Sequence, residues 1–342
     1  MVWVDKMINH ILKPPSLSPA RWDALQVWLG QVLPSPVLRI NAMVQDASDR
    51  RYFRVYCQCA QSFVLMDAPS GAKAIHPFQK VASMLYRADV RAPVIHAACS
   101  TTGFLLQEDC GNRMFAGVDS QPDAMAWYRQ AIDRLLKMQA IPAESLPAYS
   151  ADLLYEEMDL AVHWFRFAYQ GLCLTRHEKS ALYAVFDNLV VSALQQPWVF
   201  VHRDYHSRNI MMVGQDLAVL DFQDAVTGPI TYDVVSLIKD AYCDIAESNQ
   251  RALLQYFFQR AGLQAGPHTG AQLLRWFDLM GVQRHLKCLG IFARLHIRDG
   301  KSRYLQSLPR VCAYLTLMCD RYPELAPLRI LLSSAPSEGA YL

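Results

Sequence analysis

The run His202-Arg203-Asp204-Tyr205-His206-Ser207-Arg208-Asn209 carries an acid and an amide five residues apart, and Asp221-Phe222 follows twelve residues after Asn209. Between them, Asn209-Ile210-Met211-Met212-Val213 and Leu217-Ala218-Val219-Leu220-Asp221-Phe222 read as two short apolar strands, and Gly214-Gln215-Asp216 is a hairpin turn signal. A hairpin there brings Asn209 and Asp221 side by side. Taken singly, Asp and Asn are most often turn residues or helix caps. The joint spacing of His202, Asp204, Asn209 and Asp221 around a hairpin argues against that plainer reading.

The four-part pattern resembles the catalytic loop and metal-binding segment of protein-kinase-type phosphoryl-transfer enzymes. Such chemistry asks a protein mainly to align an acceptor hydroxyl with the γ-phosphate of ATP while metal ions absorb charge on the phosphate oxygens. The resemblance implies that Asp204 accepts the hydroxyl proton and that Asn209 and Asp221 bind Mg2+. That ion prefers hard oxygen ligands and needs only one or two carboxylates besides the phosphates. Asp233-Val234-Val235-Ser236-Leu237 resembles the start of the helix whose Asp binds the loop backbone. Only Gln223 to Tyr232 separate it from the metal segment, too short a stretch to dock a protein substrate.

Together these features resemble the aminoglycoside phosphotransferase family, small-molecule kinases whose loop usually reads His-Gly-Asp-x-His-x-x-Asn. Residues 202–209 match except at Arg203, and the resemblance runs along nearly the whole chain. It implies an α+β, protein-kinase-like two-lobe fold, with a small β-rich N-lobe and a mainly α-helical C-lobe. Four stretches resemble members that phosphorylate the anomeric hydroxyl of N-acetylmuramate and N-acetylglucosamine: Asp46 to Val55, Leu65 to Pro69, the loop itself, and Gln283–Lys287 on to Arg298–Lys301. An ATP- and Mg2+-dependent amino-sugar kinase is therefore expected. The alternatives are a kinase of another small hydroxyl compound, of choline, homoserine or aminoglycoside type, and a catalytically silent nucleotide-binding protein.

Composition agrees. The 342 residues suffice for two lobes with their own cores, and 52% hydrophobic with 19% charged is a globular balance. A net charge of +2 implies no global pull on nucleic acid or membrane. Nine scattered cysteines, with no second pair matching Cys57-Gln58-Cys59 at metal-ligand spacing, suit reduced thiols in a cytoplasm. Lys13-Pro14-Pro15 interrupts any apolar leader, and no run is long enough to cross a membrane.

Along the chain, Ser18-Pro19 opens an amphipathic helix to Leu33, and 38–44, 52–56 and 62–67 read as strands. A helix over about 77–87 and two more strands complete a nucleotide lobe over 1–106. Residues 107–111 are the hinge, where Gln107, Glu108 and Cys110 are candidates for adenine contacts, and 112–342 form the catalytic lobe. Helices are expected over about 123–139, after Ser150, and after the capping box Thr175-Arg176-His177-Glu178.

The third strand ends Val64-Leu65-Met66-Asp67, so Met66 or Asp67 stands where the kinase pattern places its phosphate-binding Lys. Its helical Glu partner is missing too. Losing both is physically more reasonable than leaving one buried charge unpaired. The replacement candidates are Arg50, Arg51 and Arg54, beside the Ala47-Ser48 turn with Ser48 itself near the phosphates, and Lys73 and Lys80; an Arg fork suits phosphate oxygens. His206 and Arg208 are further catalytic-loop candidates, His206 as an orienting residue, and Asp224 a further metal candidate. Arg284, Lys287, Arg294 and Arg298 fall on one stripe of a long helix, provided it continues through Gly290, and could favour an anionic sugar. Asp152, Glu156, Glu157 and Asp159 read as a solvated helix face or as ligands of sugar hydroxyls.

Overall fold

The computed structural model describes residues 14–43 and 50–333. The chain divides into two compact units, Met1–Arg113 with Met211–Asp224, and Met114–Ile210 with Ala225–Leu342. In the first, Ser18 caps helix α1 (Pro19–Val32) by accepting from the Arg21 amide, with Pro19 at the first helical position. An antiparallel sheet follows, of β1 (Val37–Ala42), β2 (Arg51–Cys57) and β3 (Ser62–Asp67), then α2 (Ala72–Arg87), β4 (Ile95–Cys99) and β5 (Phe104–Glu108). The strand order is β1-β2-β3-β5-β4. Period-2 alternation decides which residue serves which face. Phe53, Val55, Leu65, Phe104 and Leu106 form one core with Trp22, Leu25, Trp28 and Leu29 of α1. Tyr52, Arg54, Val64 and Met66 therefore belong to the other face. Helix α2 starts before Pro77 rather than at it. Burial of Ile75 and Phe78 on the same turns outweighs the one backbone hydrogen bond that Pro77 forfeits.

The second unit is mainly helical, with α3 (Ala124–Gln139), α4 (Ala151–Leu160) and α5 (Arg176–Leu194). The capping box at α5 forms reciprocally: the Glu178 amide donates to Thr175 Oγ1 at 3.2 Å, and the Thr175 amide donates to Glu178 Oε2 at 2.8 Å. Strand β6 (Trp198–Val201) leads to the catalytic run, and then β7 (Ile210–Val213) and β8 (Asp216–Val219) make the expected hairpin around Gly214, at φ 63°. The hairpin belongs with the first unit rather than with the helices, because Met211 and Ala218 pack on Cys110, and Phe222 meets Phe78 of α2 at 4.6 Å between centroids. After it, β9 (Val226–Pro229) pairs antiparallel with β6. Helices α6 (Tyr232–Ile238), α7 (Glu247–Arg260), α8 (Gly270–Ile297), α9 (Leu308–Arg321) and α10 (Arg329–Leu332) complete the unit.

Helix α8 is the axis of the second unit, buried over most of its length and unbroken through Gly290. There the end of α4 approaches so closely that a Cβ on residue 290 would lie 2.3 Å from the Leu160 carbonyl carbon and 2.5 Å from its oxygen. Backbone cannot yield as a side-chain tip can, so Gly290→Ala should destabilise by about 1–3 kcal/mol of overpacking. Alanine's helix propensity, worth about 1 kcal/mol over glycine, offsets only part of this. A lowered urea midpoint is the expected result, and an unchanged or raised one would show that the helices separate freely.

Candidate active site

The catalytic run is held at both ends by carboxylates of one segment. The fully buried Asp233, in the first turn of α6, accepts from the His202 amide at 2.6 Å and the Arg203 amide at 3.1 Å, the anchoring expected of it. Burial raises its carboxyl to about 6 despite those donors. Seven residues on, just past the end of α6, Asp240 accepts from the Ser207 amide at 2.9 Å. Sequence reading missed Asp240, although the seven-residue step from Asp233 was there to be read.

Arg203, where the family usually has glycine, adopts φ 75°. A side chain in this left-handed region costs about 1–2 kcal/mol, and the surroundings hold it there. Its carbonyl accepts from Arg284 Nη1 at 2.7 Å, and its Nη2 meets Glu157 Oε1 at 2.6 Å. Glu157 is not on a solvated face as expected: it is 4% exposed and also receives Lys287 Nζ at 3.0 Å, Gln283 Nε2 at 3.1 Å and the Tyr149 hydroxyl. Asp152 and Glu156 are exposed, and Asp159 pairs with the Tyr183 hydroxyl.

This cluster sets the state of Asp204. Burial raises its carboxyl, but Lys287 and then Arg284, whose Nη1 is 3.6 Å from Oδ1, outweigh it and hold the group well below the usual carboxylate range. Asp204 nevertheless keeps 41% of its side chain exposed, whereas Arg284 keeps 7%. The Asn209 amide nitrogen donates to the Asp204 carbonyl at 3.0 Å, which leaves the side-chain carbonyl oxygen as its acceptor atom. His206 closes the turn through its backbone, donating to the Asp204 carbonyl and accepting from the Asn209 amide. Burial pushes its imidazole down to about 4, leaving it neutral against Tyr242. Arg208, a catalytic candidate by sequence, is instead exposed with its guanidinium 3.7 Å from the centroid of the Tyr242 ring; its cation is engaged in packing rather than on Asp204.

The stripe on α8 divides. Arg284 and Lys287 are buried and hold the loop, with Tyr232 accepting from Lys287 at 3.1 Å. Arg294 is half-buried, and its Nε has no hydrogen-bond partner. Arg298 caps the end of the helix, exposed, and pairs with the adjacent Asp299 at 2.7 Å.

In the first unit, Asp221 takes φ 58°, and Gln223 Nε2 bridges its Oδ1 at 3.1 Å and Asp224 Oδ2 at 2.7 Å. Arg50 reaches the same two carboxylates, with Nη1 3.6 Å from Asp221 and Nη2 3.6 Å from Asp224. Among the described residues no three His, Cys, Asp or Glu side chains gather around one point. Two half-exposed carboxylates nevertheless suit Mg2+, which takes its other ligands from phosphates and water.

Asp67, not lysine, ends β3, and it is fully buried on the α1 face. Arg21 Nε of α1 donates to its Oδ1 at 2.9 Å, and Arg51 Nη2 to its Oδ2 at 2.6 Å. This corrects the assignment of Arg51 to phosphate binding, because strand alternation turns it away from Tyr52 and Arg54 and its fork is taken by Asp67 and the Ser16 carbonyl. Arg54 is likewise committed, holding the segment after β5 through Asp109 at 2.9 Å, the Gly111 carbonyl at 2.7 Å and Asn112. The Glu108 carboxylate is engaged by Arg91 at 2.8 Å and its amide by the Val94 carbonyl. Gln107 is buried, with its Oε1 unsatisfied, and the buried Cys110 thiol is pushed up to about 12 by desolvation. Lys73 and Lys80 lie on the exposed side of α2, and Ser48 lies outside the described residues.

Known proteins share this sequence and this fold. The chain is 40% identical over 335 residues to an N-acetylmuramate/N-acetylglucosamine kinase of Pseudomonas putida, covering 97% of this chain and 94% of that one. A protein of that name from Neisseria meningitidis is 37% identical, covering 90% and 94%. A Plasmodium vivax ethanolamine kinase shares the fold at a TM-score of 0.64 and 13% identity, over 92% of each chain. An ADP-bound aminoglycoside phosphotransferase does so at 0.59 and 13%, over 86% of this chain and 97% of that one. Residues 39–272 match the model of the phosphotransferase enzyme family. Catalytic run, two-unit architecture and relatives converge, and the chain belongs to the aminoglycoside phosphotransferase family.

Proposed function

We propose that this protein transfers the γ-phosphoryl group of ATP to the anomeric hydroxyl of N-acetylmuramate or N-acetylglucosamine, giving ADP and the sugar 1-phosphate. The observation that carries the reading is an accessible Asp204 whose carboxyl Lys287 and Arg284 hold below the usual carboxylate range against the upward pull of burial, on a loop backbone pinned by Asp233, Arg284 and Asn209. Its low proton affinity suits a carboxylate that orients the acceptor hydroxyl and takes its proton late, as a loose phosphoryl-transfer transition state requires. The anomeric hydroxyl, the most acidic of the sugar, needs the least help from a base. Mg2+ would neutralise charge on the phosphate oxygens, and within the first unit the carboxylates of Asp221 and Asp224 are the donors that would hold it. Arg50 is the cation for the phosphates, and the backbone of Asp109 and Cys110, just past the end of β5, is the part of the hinge offered to adenine.

The relatives' names supply the sugar, and a cytoplasmic location is proposed with it; among the described residues no helix is long and apolar enough to cross a membrane. Magnesium-dependent ADP release against a panel of N-acetylmuramate, N-acetylglucosamine, choline, homoserine and aminoglycosides tests the reading. Turnover on the two sugars, with a 1-phosphate seen by phosphorus NMR, supports it. Turnover on another alcohol, or ATP binding without turnover, overturns it.

Arg294 lies seven residues beyond Lys287 on α8, about two helical turns, and its half-buried guanidinium is the kind of group that pairs with a carboxylate such as the lactyl group of N-acetylmuramate. Arg294→Ala should lower kcat/KM for that sugar by about tenfold more than for N-acetylglucosamine. Equal losses on both would assign Arg294 to folding.

A further inference from the structure

Arg50 immediately precedes β2 and spans the two carboxylates of the hairpin's far end, one nitrogen toward each at 3.6 Å. These separations are longer than hydrogen bonds, so charge rather than a fixed geometry links the guanidinium to the two carboxylates, while Tyr52 beside it on β2 tethers it by a side-chain hydrogen bond. The Gln223 amide completes the bridge between Asp221 and Asp224. Arg50 is the less exposed partner, at 19% against 47% and 59% for the two acids. The other arginines of this strand region are committed elsewhere, Arg51 to Asp67 and Arg54 to Asp109. Arg50 is thus the one whose described ion partners are the very oxygens a divalent cation would take.

We propose that Arg50 is a tethered placeholder for the metal: it neutralises Asp221 and Asp224 before metal and nucleotide bind, and is displaced by the metal onto the nucleotide phosphates. This deepens the reading of the segment as a metal–nucleotide site and rests on it. Like charges repel, so a divalent ion on these carboxylates and a guanidinium beside them are mutually exclusive neighbours. An incoming polyphosphate gives the displaced fork new oxygen partners of the kind it prefers. One residue then lowers affinity for the bare metal and raises affinity for the metal–nucleotide complex. Such a device would make the carboxylate pair answer to the complex rather than to the free ion.

The test separates those two effects. Mn2+ binding without nucleotide, read by electron paramagnetic resonance, and binding of Mg2+–ATP, read by calorimetry, are compared in the wild-type protein, Arg50→Met and Arg50→Lys. Arg50→Met should bind free Mn2+ about tenfold more tightly and Mg2+–ATP about tenfold more weakly. Arg50→Lys, which keeps the charge and loses the fork, should stay near wild type for Mn2+. Unchanged Mn2+ affinity in Arg50→Met, or both affinities moving in the same direction, overturns the placeholder while leaving the nucleotide site standing. Failure of the wild-type protein to bind Mg2+–ATP at all overturns the nucleotide reading itself, and with it the phosphate half of the proposal.

Discussion

Replacing Asp204 with alanine is expected to lower kcat by about a hundredfold or more while leaving ATP affinity and the urea midpoint near those of the wild-type protein. The structure shows why loss of turnover should come without loss of fold. The cations that hold Asp204 ionised each have another acceptor: Arg284 donates to the Arg203 carbonyl, and Lys287 is paired with Glu157 at 3.0 Å. Removing the carboxylate therefore strands neither of them. The Asn209 amide contacts the Asp204 backbone carbonyl rather than its side chain, so the turn survives as well. Asp204→Asn is the sharper variant, because it keeps size and one acceptor oxygen but cannot take a proton. A loss in Asn as deep as in Ala would assign the effect to charge and proton acceptance, and recovery in Asn would assign it to orientation alone. Unchanged turnover in both would remove Asp204 from the reaction.

The sequence made some of this site legible and concealed the rest for identifiable reasons. The loop, the hairpin and the anchoring Asp233 are set by local spacing, which survives in one dimension. Helix α1, the strands β1 to β3 and the capping box of α5 were visible because caps and period-2 alternation are local as well. Alternation also held the clue that Arg50 and Arg51 serve opposite faces, but without knowing which face α1 covers, the wrong one could not be struck out. Glu157 was misread because its helix carries four acids of which Asp152 and Glu156 are indeed exposed. What distinguishes Glu157 is the approach of α8, a partner more than a hundred residues away. Arg203 reads as a departure from the family pattern in one dimension. In three, its left-handed backbone is the conformation glycine would have, secured by an ion pair that glycine cannot make.

That ion pair makes Glu157 the position where a single change should do most damage to the structure. Lys287, Arg203, Gln283 and Tyr149 all direct hydrogen-bond donors at one buried carboxylate. Attraction to Lys287 and Arg203 overcomes the upward pull of burial and keeps the acid below its ordinary range, so it is ionised at neutral pH. Glu157→Ala leaves the buried Lys287 and the partly buried Arg203 short of their counter-ion, and removing one member of a buried pair costs about 3–5 kcal/mol. Glu157→Gln retains volume and an acceptor oxygen, so it should be less destabilised than the alanine variant and more than the wild-type protein. The catalytic consequence is separable from the loss of stability. Without its anchor Arg203 keeps the strain of φ 75° and loses the contact that offsets it, so the loop should relax and kcat fall with little change in the KM for ATP. Arg203→Gly placed on the Glu157→Gln background removes both the strain and the unpaired guanidinium, and should restore part of the lost kcat. The urea midpoint, followed by tryptophan fluorescence, reads the first effect, and steady-state kinetics on the folded fraction read the second. A glutamine variant as stable and active as the wild-type protein would show that the four donors do not depend on the charge they surround. A double variant no better than Glu157→Gln alone would show that the left-handed backbone at residue 203 is held by Asp233 and Arg284 without help from its own side chain.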